Sequence, residues 1–413
     1  MKSILISLLF FITVNVGNAA TYYVRHDGSA ANKGAATSSG AAATSMSVAT
    51  FNGESFSDND IIVFSNKGGT FTAKVVLPTG GSSVGNRIRY IGETDYLPTI
   101  AQSASTSDMA CSVSNVEIRD FTLSGSAYGL EFVSGTLSGI VTYNLIVASA
   151  DEKIRHYTAT TVTHYNPTLT GAESLTSHAA GTITVEGGNI SGYVDGALRG
   201  ISSNSWVMND VVFTAAATGR LLGDTSVSTG SYTFQRCKIN DLATGRSNDL
   251  RTAAAAYFYN CIFTGLTTGD FYLLLPAATR VMNCVFDGNG RGGPSTQVIF
   301  NNAGGTVNNT IFYNTGGKQC SSSTGVDYCT FYNAGTAQGA HSVTGDPGFT
   351  SAPTDYTIGS GSNCKDVGYD NSAYFTDDFT GTTRTGTWDI GAYEYVSGAT
   401  PTSHMRGLLG VGR

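Results

Sequence analysis

The chain has 413 residues, a formal net charge of −7 and a pI near 5.3. Charged residues make up 13%, about half the usual share, and 51 positions are glycine. That composition suits tight turns and uncharged strands, argues against long amphipathic helices, and excludes nonspecific nucleic-acid binding as a function.

Residues 1–19 have the build of a secretory signal. Lys2 supplies the positive start, Ile4 to Val14 the apolar core, and Gly17-Asn18-Ala19 a small-residue cleavage site. The apolar core is too short to span a bilayer. The expectation is an exported, secreted protein starting at Ala20, with no membrane span.

Thr21 to Val24 reads as a first strand, followed by a Gly/Ala/Ser/Thr stretch to about Ala49. Asp60 to Phe64, Thr70 to Leu77 and Asn86 to Gly92 read as strands. So do Val116 to Leu123, Gly129 to Val133, Gly139 to Val147 and Gly181 to Ile190. Ala148 to His178 breaks this rhythm. It holds Asp151-Glu152-Lys153-Ile154-Arg155-His156, three of the six histidines, and Pro167. It reads as an extended loop or lateral insertion. Lys153 or His156 as base, with Arg155 as a carboxylate clamp, would satisfy polysaccharide elimination on paper. A charge-rich loop tip accounts for the same residues more plainly.

From Asn209 to Phe331 one short phrase recurs. It is Met-Asn-Asp-Val-Val-Phe at 208–213, Phe-Gln-Arg-Cys-Lys-Ile at 234–239, Tyr-Asn-Cys-Ile-Phe at 259–263, Met-Asn-Cys-Val-Phe at 282–286, Asn-Asn-Thr-Ile-Phe at 308–312 and Asp-Tyr-Cys-Thr-Phe at 327–331. Aligned on Asp210, Cys237, Cys261, Cys284, Thr310 and Cys329, the steps are 27, 24, 23, 26 and 19 residues. A drifting period of this size, with side chains alternating by twos, predicts coils of a solenoid made of strands.

The alternation turns Cys261 with Phe263, and Cys284 with Phe286, inward. It turns Lys238, Ile262, Val285, Ile311 and Thr330 outward. Stacked strands lie about 4.8 Å apart, whereas disulfides prefer Cβ atoms about 3.8 Å apart. Cys237, Cys261, Cys284 and Cys329 are therefore expected as a ladder of buried free thiols. Cys111, Cys320 and Cys364 lie outside it, and a Cys320–Cys364 bridge is one pairing open to them. Asn260, Asn283 and Asn309, one per coil, are expected to bond each other and the turn backbone.

The turns after the repeats carry Arg220, Arg246, Asp270, Arg291 and Lys318. In a chain so poor in charge this row suggests a flank that holds an acidic glycan; solvated turn charges are the plainer alternative. Tyr257, Tyr259, Tyr272, Tyr313 and Tyr332 are outward aromatics that would serve as sugar-stacking platforms. Toward the end, Asp366, Asp370, Asp377, Asp378 and Asp389 invite a calcium ion. Arg384 among them favours Asp–Arg pairing as the cap.

These features resemble the right-handed parallel β-helix proteins. The resemblance is carried by Thr21-Tyr22-Tyr23-Val24 with Asp27-Gly28-Ser29, by the Asn-Cys-x-Phe repeats, and by the closing segment. That segment comprises Gly345-Asp346-Pro347-Gly348-Phe349, Asp366-Val367-Gly368, Asp378-Phe379-Thr380-Gly381, Arg384 and Trp388-Asp389-Ile390-Gly391-Ala392-Tyr393-Glu394-Tyr395. It is similar to the end of bacterial β-helix proteins of the choice-of-anchor Q type. The resemblance implies an all-β, single-domain right-handed parallel β-helix over residues 20–395, of roughly 11–13 coils with capped ends. Ala30–Ala49 and the closing segment are the expected covers of its edge strands. Residues 396–413 are expected as a flexible tail, too short and Gly-rich for an anchor.

Such scaffolds host polysaccharide lyases, glycoside hydrolases, adhesins and phage tail proteins. The leading expectation is an exported noncatalytic protein that binds surface polysaccharide or builds an extracellular or virion structure. The alternative is a lyase or hydrolase acting on an acidic glycan. The implied partner is a cell-surface glycan, and phage-spike relatives imply a homotrimer as one assembly.

Overall fold

The computed structural model describes residues 19–397, except 105, 195, 201–202, 217–220, 223–228, 241–246, 250–252, 265–271, 289–298, 301–304 and 317–318. Residues 1–18 and 398–413, which hold nearly all of the expected signal and tail, lie outside it.

The chain winds repeatedly through three parallel sheets. One turn runs from Leu137–Tyr143 through Ile146–Val147 and Glu152–His156 to Thr160–Tyr165, which pairs back on Leu137–Tyr143. The first sheet has 13 strands, from Thr21–Arg25 to Val326–Asp327, stacked in chain order. The second has 12, from Thr99–Ile100 to Val343–Thr344. The third has six, from Val75–Leu77 to Gly196–Gly200, and a separate sheet of three follows at Ser247–Asp249, Tyr272–Leu274 and Ile299–Phe300. This is the expected parallel β-helix. Thirteen stacked strands make it about 58 Å long. No helix among the described residues is long and apolar enough to cross a membrane.

One corner explains the repeats. Between a first-sheet strand and the following second-sheet strand, one residue takes a left-handed conformation. It is Asp120 (φ 62°), Asn144 (51°), Asn166 (49°), Asp210 (57°), Arg236 (52°), Asn260 (51°), Asn283 (53°), Asn309 (48°) and Tyr328 (52°). Asn and Asp tolerate this region best among residues with a side chain. The residue after the bend turns inward. Val212 pairs with Lys238, so Val211, not Asp210, shares the position of Cys237. Asp210 is the bend residue, and the 27-residue step expected from it is really 26 residues from Val211 to Cys237.

The inward column then runs Val211, Cys237, Cys261, Cys284, Thr310 and Cys329, all buried. Each member with a donor gives it to a carbonyl one coil back. Cys237 donates to Met208 (3.2 Å), Cys261 to Phe234 (3.4 Å), Cys284 to Phe258 (3.5 Å), Thr310 to Val281 (3.4 Å) and Cys329 to Val307 (3.6 Å). A threonine fits this column because its hydroxyl makes the same bond as the thiol. Two residues on, Phe263, Phe286, Phe312 and Phe331 form a stack with ring centroids 4.3, 5.6 and 5.2 Å apart.

All seven cysteines are free and buried, Cys320 and Cys364 included. Burial pushes the Cys329 and Cys111 thiols up to about 12 and the Cys364 thiol to about 11. Cys237 and Cys261 are raised for the same reason. Thiol-reactive dye should therefore leave native protein unlabelled and label all seven sites once denaturant unfolds it. Fast labelling of four thiols in native protein would refute the inward column.

The segment 148–178 is not an insertion. Glu152–His156, Thr160–Tyr165, Thr168–Thr170 and Glu173–Ser177 are ordinary coil strands, in register with those before and after. Its inward positions are partly polar: His156, His164 and Ser177 join Ile154, Val162 and Leu175 inside. That substitution hides the strand pattern.

The ends are closed differently from one another. At the start, Met46 bridges Val24, and Ser47 caps the short helix Val48–Asn52 by accepting from Thr50 N. Phe51 packs on Phe64 and Tyr90, at 5.1 and 5.9 Å. Gly28 is required there, because a Cβ would lie 2.1 Å from Met46 O. At the far end the cover is Gln338–Ser342. Gln338 accepts from Cys320 N, and His341 N donates to Asp327. The closing segment, expected at that edge, instead lies along the side of the coils. Ile390, Ala392 and Tyr356 pack on Ile262, Val285 and Ile311. The outward positions Ile262, Val285 and Ile311 are thus buried beneath a strap rather than exposed, while Lys238 stays partly exposed.

Candidate functional site

The third sheet carries an outward column that crosses four coils. Its register is Glu131, Arg155, Thr176, Arg199. Inward neighbours Leu130, Ile154, Leu175 and Leu198 anchor each strand, so the pleat forces these four outward. Glu152 pairs with Glu173 at the strand starts, and His156 with Ser177 at the ends. The next residues, Tyr157 and His178, therefore lie side by side, with ring centroids 5.6 Å apart.

Charges on this flank interlock. Arg155 approaches Glu152 (Nε–Oε2, 3.1 Å) and Glu131 (Nη1–Oε1, 3.5 Å). Its guanidinium lies over the rings of Tyr128 (4.5 Å) and Tyr157 (5.0 Å), a cation–π arrangement. Ser107 donates to the other oxygen of Glu131. Arg199 Nη1 donates to both oxygens of Glu173, at 2.9 and 3.0 Å. His178 Nε2 sits 3.7 Å from Glu152. Burial holds the His178 imidazole below its ordinary value, against the pull of Glu152. Tyr157 is 53% exposed and forms the open surface of the cluster.

Of the three candidates from this segment, only Arg155 reaches that surface. Lys153 is fully buried; its ammonium donates to Asp151 O at 2.5 Å. Burial pushes its pKa down, with Asp151 and Glu173 opposing. Gly171 makes room for it, since a Cβ there would lie 2.9 Å from Lys153 Cε and Nζ. His156 points into the solenoid, stacked 4.8 Å from Phe132. Arg220, Arg246, Asp270, Arg291 and Lys318 lie outside the described residues.

The acids of the closing segment do not converge. Asp377 pairs with Arg236 at 2.6 Å, and Arg236 also binds Asp210. Asp378 accepts from the backbone of Thr380, Thr382 and Glu394. Asp389 accepts from Asp366 N and Tyr395 N. Asp366 pairs with Lys365. Among the described residues no three His, Cys, Asp or Glu side chains are grouped to hold a metal ion. Arg384 does fasten the cap, but its carboxylate partner is Glu394 (3.0 Å), not an aspartate. The asparagine ladder serves the same strap: Asn260 donates to Asp377 O, Asn283 to Asp389 O, and Asn309 to Asn283.

The outward tyrosines sort into two groups. Tyr257, Tyr259 and Tyr374 gather around Arg280, which lies 4.8 Å from Tyr257 and 4.6 Å from Tyr374. Tyr313 stacks on Tyr332 at 5.4 Å. The Tyr272 side chain lies outside the described residues. Tyr128, Glu131, Tyr157, Glu173, His178 and Arg199 escaped sequence reasoning. Their one signal was recurrence at the coil period through a segment whose interior pattern is polar.

No protein-family model matches the chain. Comparison with curated proteins also finds no match. Among solved structures, the crystal structure of pectate lyase Pel9A is similar, with a TM-score of 0.55 over 92% of this chain and 97% of that one. Identity is 12%, so the likeness establishes a shared β-helix architecture, consistent with the coil geometry described above.

Proposed function

We propose that this is an exported polysaccharide-binding β-helix protein, with a closing segment of the choice-of-anchor Q type, and that the third-sheet flank is its glycan contact. The observation that carries the proposal is the exposed Tyr157 ring over Arg155, which Tyr128, Glu131 and Glu152 also flank, with the Arg199–Glu173 pair on the same sheet. Sugar recognition needs an aromatic face for the apolar side of the ring and fixed polar groups for its hydroxyls. Both are supplied here, the glutamates on or at the strands and the tyrosines just beyond their ends. The likeness to pectate lyase Pel9A supports a polysaccharide as the class of ligand.

Binding without catalysis is favoured because Lys153 is sealed from solvent and His156 faces the interior. A lyase is the second reading. Its support is Lys153, whose ammonium burial makes easier to deprotonate, as a base near neutral pH requires.

A glycan array with the full chain and Tyr157→Ala tests both. Wild type should bind a polysaccharide, and Tyr157→Ala should weaken it by about tenfold, the size of one lost stacking contact, with an unchanged melting temperature. Undiminished binding by the variant removes this flank. Appearance of unsaturated uronate, abolished by Lys153→Ala in folded protein, would establish the lyase instead.

A further inference from the structure

We infer that the third-sheet flank selects neutral, hydroxyl-rich polysaccharides over polyuronates; the inference rests on the polysaccharide-binding reading and names its ligand class. Each arginine of the flank faces a carboxylate. Arg155 is held by Glu131 and Glu152, and Arg199 by both oxygens of Glu173. Lys153 is buried against Asp151 O. His178 is kept neutral by burial. Asp151, Glu131, Glu152 and Glu173 outnumber Lys153, Arg155 and Arg199 by four charges to three.

A uronate polymer brings one carboxylate per sugar. On this surface each arginine it could reach already has a carboxylate beside it, so every uronate would also be brought close to Glu131, Glu152 or Glu173. Like charges at such spacing disfavour the wrong partner. A neutral sugar meets no such barrier. Its C–H face can lie on Tyr157, and its hydroxyls can donate to the glutamates, since an ionised carboxylate offers about four lone-pair sites and such bonds are charge-assisted.

The test is titration of the full chain with three probes: a soluble mixed-linkage β-glucan, a galactomannan and polygalacturonate. A neutral polymer should bind at least about tenfold more tightly than polygalacturonate. Its affinity should stay within about twofold from low to high salt, because no net charge is exchanged. Glu173→Gln releases Arg199, so polygalacturonate binding should rise several-fold and become salt-sensitive, narrowing the ratio between the neutral polymer and polygalacturonate. Glu131→Gln, which half-releases Arg155, serves if the first variant does not fold. Tighter polygalacturonate binding by wild type overturns the selectivity and leaves the polysaccharide reading standing. No gain in either glutamine variant also overturns it. Failure of all three polymers to bind, together with an empty glycan array, removes the polysaccharide reading itself.

Discussion

Arg384→Ala should detach the closing segment from the coils and destabilise it by about 3–5 kcal/mol, the usual result of removing one partner of a buried ion pair. The Arg384 side chain is fully buried. It donates to Glu394 (3.0 Å), Asn260 Oδ1 (2.9 Å), Gly391 O (2.9 Å) and, more weakly, Asp389 O (3.4 Å) and Asp377 O (3.3 Å). Alanine leaves these acceptors without a donor inside the strap. The two tryptophans make the test direct. Trp206 is sealed in the coils, and Trp388 packs between Phe375 and Arg384. In a Trp206→Phe background, Trp388 emission should shift to the red at lower urea in Arg384→Ala, before strand circular dichroism is lost. Acid should partly rescue the variant. Burial, helped by Asp389, already raises the Glu394 carboxyl, and Arg384 opposes that rise. Without Arg384 the folded carboxyl binds its proton more readily than the unfolded one, so the defect shrinks as pH falls toward the ordinary glutamate value. An unchanged urea midpoint at neutral pH would show that the strap does not depend on this arginine.

The architecture could be read from the sequence wherever geometry demands particular residue types. The left-handed corner selects Asn or Asp, the next position turns inward, and the one two beyond must fill the core. Hence Asn260-Cys261-Ile262-Phe263 and its copies stand out. The same logic misplaced Asp210, because Val211 and Val212 are both acceptable after a bend and only strand register separates them. The strap was half-visible. Ile262, Val285 and Ile311 are apolar at outward positions, which makes sense only if something covers them. The candidate flank was far less legible. Tyr128, Glu131, Arg155, Tyr157, Glu173, His178 and Arg199 come from four coils, and nothing local in the sequence joins them. Parallel register does that work, stacking residues one coil apart about 4.8 Å from each other. Charge pairing then follows from proximity, so Arg155, expected as a free clamp, is held by Glu131 and Glu152.

The polar interior that disguised residues 148–178 should also make the protein labile in acid. His164 is fully buried, its Nδ1 2.8 Å from Thr142 Oγ1. His156 stacks on Phe132 and meets His164 edge-on at 5.5 Å. Burial lowers the His164 pKa to about 3, and burial together with His164 lowers that of His156. Both are therefore neutral in the folded protein, whereas the unfolded chain takes up protons below its ordinary value of about 6.5. Stability is full above that value and falls as pH drops toward 3. From His164 alone the loss approaches on the order of 4–5 kcal/mol, at about 1.4 kcal/mol per pH unit. Asp108, Asp389 and Glu394 act in the opposite sense, since burial raises their pKa values and the folded state gains from binding their protons. The difference between wild type and His156→Phe/His164→Val removes that contribution. Phe continues the stack on Phe132, and Val matches Val162 and Val185, inward residues of the same and the adjacent strand. Urea midpoints measured from pH 7.5 to 4 should fall steeply in wild type and much less in the double variant. Equal slopes in the two proteins would show that these histidines are hydrated or already charged in the fold, and that the acid response has another source.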